Sequence, residues 1–152
     1  MTQRLNWTRQ APEGVDAMRK VEAYLAQSSV NPRLLALVKT RASQINGCAY
    51  CLHVHSGEAR QLGESYERLL LLDAWHESTL YTEQERAALA WTESLTRIAE
   101  TRAPDDVYDE VRRHFSDREL ADLSIAVAMI NAWNRLTVGF RTVHPAERKA
   151  AA

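Results

Sequence analysis

Apolar side chains return every third or fourth residue along most of the chain, and residues that start and stop helices divide the pattern into segments. After Pro12 come Val15, Met18, Val21, Tyr24 and Leu25; after the Asn31-Pro32 pair come Leu34, Leu35, Val38 and Ala42. Thr82-Glu-Gln-Glu85 and Ser116-Asp-Arg-Glu119 spell capping boxes, in which a hydroxyl and a carboxylate satisfy the free N–H groups of a first helical turn. Gly47 and Gly63 supply stops. No strand alternation, glycine-rich phosphate loop or long repeat is present. The pattern predicts an all-α, single-domain bundle of about six or seven helices.

The expected helices run over about 12–27, 32–46, 48–62, 64–76, 82–101, 105–115 and from 117 past Asn134. In the fourth, Leu69 to Leu72 form an apolar block expected to pack under the helix that begins at Cys48. In the fifth, Ala88, Leu89, Trp91, Leu95 and Ile98 mark the buried side, and Glu93, like Asp73 before it, reads as a plain surface carboxylate. The last carries the longest apolar stretch, Leu123-Ser-Ile-Ala-Val-Ala-Met-Ile130, so it is either central or shared between subunits. Residues 1–11, with Trp7, read as an arm, and 144–152 as an irregular tail. The whole of 1–152 reads as one domain.

At 152 residues the chain can bury about two thirds of its unfolded surface in one core. A formal net charge of −1 gives no long-range pull toward nucleic acid or acidic membranes, and Arg112-Arg113-His114 reads as a solvated face. The first residues lack the basic start and apolar run of a signal peptide, no stretch is long enough for a membrane span, and the expectation is a cytoplasmic protein with no nucleic-acid or membrane partner.

The chain has two cysteines, Cys48 and Cys51, and both lie in Ser43-Gln-Ile-Asn-Gly-Cys-Ala-Tyr-Cys-Leu-His-Val-His-Ser-Gly-Glu58 with His53 and His55. On a helix starting after Gly47, Cys48, Cys51 and His55 share one face, at i, i+3 and i+7, whereas His53 points elsewhere. Two sulfurs one turn apart can close a disulfide, and an imidazole one turn on can accept a thiol proton directly or through one water. A helix N-terminus favours a thiolate, which by itself makes Cys48 the more acidic thiol. A redox dithiol, a zinc site and plain packing are the competing readings, and zinc lacks a fourth ligand because His53 faces away. Tyr50, between the cysteines, is a candidate for the pocket mouth, His53 reads as a solvent-facing or pocket-rim residue, and Ser43 is a further pocket candidate. Trp133 and Asn134, the latter polar on an otherwise apolar helix, read as a satisfied core network or a cap on the site floor.

Gln44-Ile-Asn-Gly-Cys-Ala-Tyr-Cys followed by Leu-His-Val-His55 resembles the C-x-x-C-x-x-x-H signature of alkylhydroperoxidase D-like proteins, in the carboxymuconolactone decarboxylase superfamily. Arg86-Ala-Ala-Leu-Ala-Trp-Thr and Ile130-Asn-Ala-Trp-Asn-Arg135 resemble later helices of its peroxidase-related branch. The resemblance implies an all-helical homo-oligomer, a trimer or hexamer, that reduces hydroperoxides in antioxidant defence. It also implies roles: Cys51 peroxidatic, Cys48 resolving, His55 the proton carrier. The redox-active disulfide Cys48–Cys51 would then serve in place of a cofactor, and an external thiol or protein reductant would reset it. Many such proteins carry a glutamate twelve residues before the first cysteine; here that position is Ala36. Thr40 and Ser43 lie on the same stripe and can hydrogen-bond but carry no charge, while Glu58 and Glu64 are possible carboxylate substitutes. The other functions weighed are a thiol–disulfide oxidoreductase without a peroxide step and a redox or metal sensor. Lactone decarboxylation offers a dithiol no role.

Overall fold

The helices begin where a side chain takes up free N–H groups. Asn31 Oδ1 accepts from the Arg33 amide at 2.9 Å, Ser65 Oγ from the Arg68 amide at 3.1 Å, and both capping boxes close. The computed structural model describes residues 2–144. Among these it contains α1 (Trp7–Gln10), α2 (Pro12–Leu25), α3 (Pro32–Ile45), α4 (Ala49–Gln61), α5 (Tyr66–Leu70), a 3₁₀ turn (Leu71–Ala74), α6 (Glu83–Thr96), α7 (Ile98–Thr101), α8 (Asp105–His114) and α9 (Asp117–Gly139), with no strand. Six of these helices have ten or more residues; the expected six or seven did not resolve the three short ones. Residues 145–152 of the expected tail lie outside the described residues.

Four expectations are corrected. The arm is not wholly irregular: Trp7 is buried in α1 against Trp133 and Phe140, and its Nε1 donates to Thr142 Oγ1. The Leu69–Leu72 block is no single helix. It breaks into a 3₁₀ turn, so Leu72 and Trp75 enter the core beside α3 while Leu70 and Leu71 stay exposed. The Thr82 helix ends at Thr96, and Ile98 is 53% exposed rather than buried. Glu93, expected as a plain surface carboxylate, is a half-buried hub accepting from Arg41 Nε at 2.7 Å and Trp75 Nε1 at 2.8 Å.

α3 is surrounded by α4, α6 and α9. Its residues 34–43 are all buried, including Lys39, Thr40, Arg41 and Ser43, where the spacing predicted one apolar side. A buried polar group must be paired, and each of these is. Lys39 Nζ meets Glu22 Oε2 at 2.5 Å, Arg41 meets Glu93 and Asp73, and Thr40 and Ser43 donate to the carbonyls of Ala36 and Lys39. α9 is likewise central in its own chain, burying Leu123, Ala126, Val127 and Ile130 against α3 and α6. A smaller apolar cluster of Ala42, Cys48, Cys51 and Ile130, backed by Tyr50 and Trp133, lies where α3, α4 and α9 meet.

Candidate functional site

The turn between α3 and α4 places the two sulfurs. Gly47 adopts φ +62°, a left-handed conformation that glycine takes without cost, and the Cys48 amide reaches back to the Ser43 carbonyl at 3.0 Å. Asn46 Nδ2 donates to Asn131 Oδ1 at 2.9 Å and Asn134 Oδ1 at 2.8 Å, which ties the turn to α9. Cys48 thus becomes the N-cap of α4, with Sγ accepting from the Cys51 amide at 3.3 Å. A sulfur in that position faces unpaired N–H groups and the positive end of the helix dipole, both of which favour a thiolate.

The two cysteines come within 2.6 Å of each other as free thiols, 1% and 3% exposed. Thr137 Oγ1 lies 3.0 Å from Cys48 Sγ and 3.4 Å from Cys51 Sγ, so one hydroxyl bridges both. The pair ionises unequally. Hydrogen bonding from Cys51 is the chief reason that Cys48 is lowered to about 6; contacts with Thr137, the Cys51 amide and Asn134 add to it, against burial. The reverse side of that bond, together with burial, pushes Cys51 well above an ordinary thiol. The pair therefore holds one proton, on Cys51, at neutral pH.

Cys51 opens on a cavity of about 260 Å³ that it shares with His55, Glu58, Glu22, Lys39 and Trp133. His55 is half-buried, and its hydrogen bond runs from Nδ1 to Glu58 Oε2 at 2.7 Å. Because an ionised carboxylate only accepts, Nδ1 must carry the proton, which leaves Nε2 to act as a base. Glu58 is held below the usual carboxylate range, chiefly by that bond to His55, so it remains charged at neutral pH. Of the two carboxylates considered in place of the one absent at Ala36, Glu58, three residues along the same helix, is the one that bonds His55. Glu64 is not that group: it is 1% exposed and paired with Arg68. Among the described residues no three of His, Cys, Asp and Glu converge to hold a metal ion.

Residues 9–94, more than half of the chain, match the carboxymuconolactone decarboxylase family. The chain belongs to that family. Uncharacterised protein YdfG of Bacillus subtilis is 41% identical over 138 residues, 91% of this chain and 94% of YdfG. A crystal structure from Agrobacterium tumefaciens, of a protein of unknown function suggested to be the antioxidant defence protein AhpD, superposes with TM-score 0.92 at 45% identity. It covers 95% of this chain and 99% of that one. The debrominase Bmp8 has the same fold at 20% identity, with TM-score 0.78 over 94% of this chain and 77% of its own.

Within this carboxymuconolactone decarboxylase family member, the residues singled out from sequence separate into two groups. Tyr50 and Trp133 line the Cys51 cavity. Asn134, 1% exposed, bonds Ser43 Oγ and Asn46, and contributes to lowering Cys48. Ser43 lines neither sulfur cavity and works as the partner of Asn134. Thr40 spends its hydroxyl on the Ala36 carbonyl, so neither Thr40 nor Ser43 bonds His55. His53 is exposed, stacks on His144 at 5.6 Å and borders a different hollow. Three site residues escaped the sequence reading: Thr137, Glu22 and Lys39. Thr137 carried a signal, being three and four residues beyond Asn134 and Trp133 on one helix face. Glu22 and Lys39 come from separate amphipathic helices and carried none.

Proposed function

We propose that this protein is a thiol-dependent peroxidase that reduces organic hydroperoxides through a Cys48–Cys51 dithiol–disulfide cycle in antioxidant defence. One observation carries the reading: Cys51 and His55 open on the same cavity, and Cys48, the more acidic thiol, stands directly behind Cys51. The Cys51 thiol gives its proton to His55 Nε2, and the resulting thiolate attacks the terminal oxygen of the hydroperoxide. The O–O bond breaks, Cys51 becomes a sulfenic acid, and the alkoxide takes the proton back from His55 to leave as an alcohol. The Cys48 thiolate then attacks the Cys51 sulfur; the S–S bond forms and hydroxide leaves, protonated to water. The acidity of Cys48 suits its role as the resolving nucleophile, whereas the raised Cys51 thiol makes its deprotonation by His55 the demanding part of the first step. The walls supplied by Tyr50, Val54 and Trp133 favour an organic peroxide over hydrogen peroxide. An external thiol or protein reductant supplies the two electrons of the reset.

The test is a pair of variants assayed with an organic hydroperoxide and a thiol. Cys51→Ser should lose peroxide consumption, while Cys48→Ser should complete one turnover and hold a trappable sulfenic acid on Cys51. Wild-type consumption by Cys51→Ser would sink this assignment. A second reading, thiol–disulfide exchange without a peroxide step, is favoured by Cys48 being the first sulfur to ionise. It requires full exchange activity with disulfides and no peroxide consumption in the unaltered protein. The reading also includes assembly of a homo-oligomer, for which Ile125 and Val138 of α9 and Leu62, Tyr66 and Leu70 offer exposed apolar surface.

A further inference from the structure

The two sulfurs open on opposite sides of Thr137. Cys51 lines the cavity of His55 and Glu58, and Cys48 does not. Cys48 lines a second cavity, of about 160 Å³, between the α3–α4 turn and the segment after α9, and Cys51 does not. Tyr50 and Thr137 are the shared wall. The two spaces differ in charge. The Cys51 side holds the carboxylates of Glu22 and Glu58, with the cation of Lys39 already paired to Glu22 at 2.5 Å. Among the described residues the Cys48 side has no acidic lining residue and one full cation, Arg141.

Arg141 is held there by the end of α9. The Thr142 amide returns to the Thr137 carbonyl at 2.9 Å and the Arg141 amide to the Val138 carbonyl at 3.1 Å, with Arg141 itself at φ 53°. That left-handed position ordinarily favours glycine, and a residue with a Cβ costs about 1 kcal/mol there. The Arg141 side chain is exposed and makes no hydrogen bond or ion pair among the described residues.

We propose that the Cys48 cavity admits the reductant, a small thiol bearing a carboxylate, with Arg141 as its anion contact. This rests on reading Cys48–Cys51 as a redox disulfide, whatever oxidises it. A space of about 160 Å³ has room for a thiol of about six heavy atoms. The same negative charge is turned away by Glu22 and Glu58 on the Cys51 side. The thiolate attacks Cys48 Sγ, the S–S bond breaks, and Cys51 leaves as a thiolate that takes up the proton the incoming thiol gave to solvent. A second thiol then attacks the sulfur of the bound thiol, releasing the small-molecule disulfide and the Cys48 thiolate; access through the Cys48 cavity, rather than leaving-group acidity, selects the sulfur attacked in the first step. Two thiols are oxidised and one protein disulfide is reduced.

The experiment begins from the disulfide form of the full chain, so it is independent of peroxide. The rate of reset is measured with 3-mercaptopropionate, 2-mercaptoethanol and cysteamine in the unaltered protein and in Arg141→Gln, Arg141→Glu and Arg141→Lys. Each thiol is compared with itself across variants, which cancels their different acidities. Arg141→Gln should slow the anionic thiol about fivefold relative to the neutral one, the size of an exposed ion pair. Arg141→Glu should slow it more and speed the cationic thiol, and Arg141→Lys should restore the preference. Equal change for all three thiols, or none, overturns the assignment of Arg141. 3,3′-Dithiodipropionate, the disulfide of that anionic thiol, should exchange onto Cys48 in Cys51→Ser, forming a mixed disulfide and releasing one 3-mercaptopropionate. If that mixed disulfide forms on Cys51 in Cys48→Ser and not on Cys48, the entry side is wrong. If the reset behaves as expected while peroxide does not oxidise the protein, the reductant site stands and the peroxidase reading falls.

Discussion

Thr137 has one proton to give and four acceptors around it. Its hydroxyl is 2.7 Å from the Trp133 carbonyl, 3.2 Å from the Asn134 carbonyl, 3.0 Å from Cys48 Sγ and 3.4 Å from Cys51 Sγ. While both cysteines are thiols it can donate to the carbonyl and accept from sulfur; once Cys48 ionises, turning the hydroxyl toward it stabilises the charge. Relative to the ordinary thiol at 9.0, the folded chain carries a thiolate on Cys48 from about pH 6 upward. A depressed acid stabilises the fold above its unfolded value, so this contribution grows from about pH 6 to the ordinary thiol range and is lost as pH falls through 6. Cys51, shifted the other way, takes stability back once an unfolded thiol would ionise. Thiolate absorbance should therefore show one group titrating near pH 6 and no second step in the ordinary thiol range. Cys51→Ala should move the Cys48 midpoint up, since it removes the main stabilising bond; an unmoved midpoint would show that the helix terminus does the work instead. Glu58 is depressed too, so its support of His55 persists from neutral pH down through the usual carboxylate range. His55→Ala should cut the oxidation rate by about a hundredfold, the size of a general acid–base contribution. Glu58→Gln, which keeps the hydrogen bond and removes the charge, should cut it by less, with the folded stability near that of the parent. An unchanged rate in Glu58→Gln would leave the carboxylate without a role.

At the scale of elements, the site depends on a single turn. The α3–α4 connection puts Cys48 at an N-cap because Gly47 is left-handed and Asn46 is fixed to two asparagines of α9. A Cβ at Gly47 meets no atom within 4 Å, so the cost of Gly47→Ala is conformational rather than steric. It should destabilise the protein by about 1 kcal/mol, visible as a lower denaturant midpoint with unchanged slope. If the turn relaxes rather than absorbing the strain, the Cys48 titration should rise as well, because its sulfur leaves the α4 amides. Stability equal to the parent would mean that the left-handed turn is not imposed by the surrounding packing.

The whole molecule is built around helices buried on most sides, with polar residues of α3 satisfied by distant partners. Arg41 is held by Glu93 of α6 and by Asp73 of the 3₁₀ turn, and its side chain is only 6% exposed. Glu93→Ala leaves that guanidinium with Asp73, which is 77% exposed, and removes the acceptor of Trp75 Nε1. Breaking such a pair from one side costs roughly 3 kcal/mol, so the thermal midpoint should fall by several degrees while the cysteine titration is unaffected. A loss under about 1 kcal/mol, by contrast, would place the pair with ordinary surface bridges.

Local chemistry is what the chain's linear order determined by itself. Capping boxes, Asn31-Pro32, Gly47 and Gly63 set the helix starts and stops, and the four-residue spacing of Cys51 and His55 put both on one cavity, because these are decided within one or two turns of backbone. The breaks after Leu70 and at Arg97, the exposure of Ile98 and the burial of α3 on all sides depended on which neighbours compete for each surface. Only the tertiary structure brought Thr137 between the sulfurs, set Glu22 and Lys39 beside Cys51, and gave the two sulfurs separate cavities of different charge. Those contacts join residues tens of positions apart, and no local periodicity records which polar side chain will meet which across a packed interface.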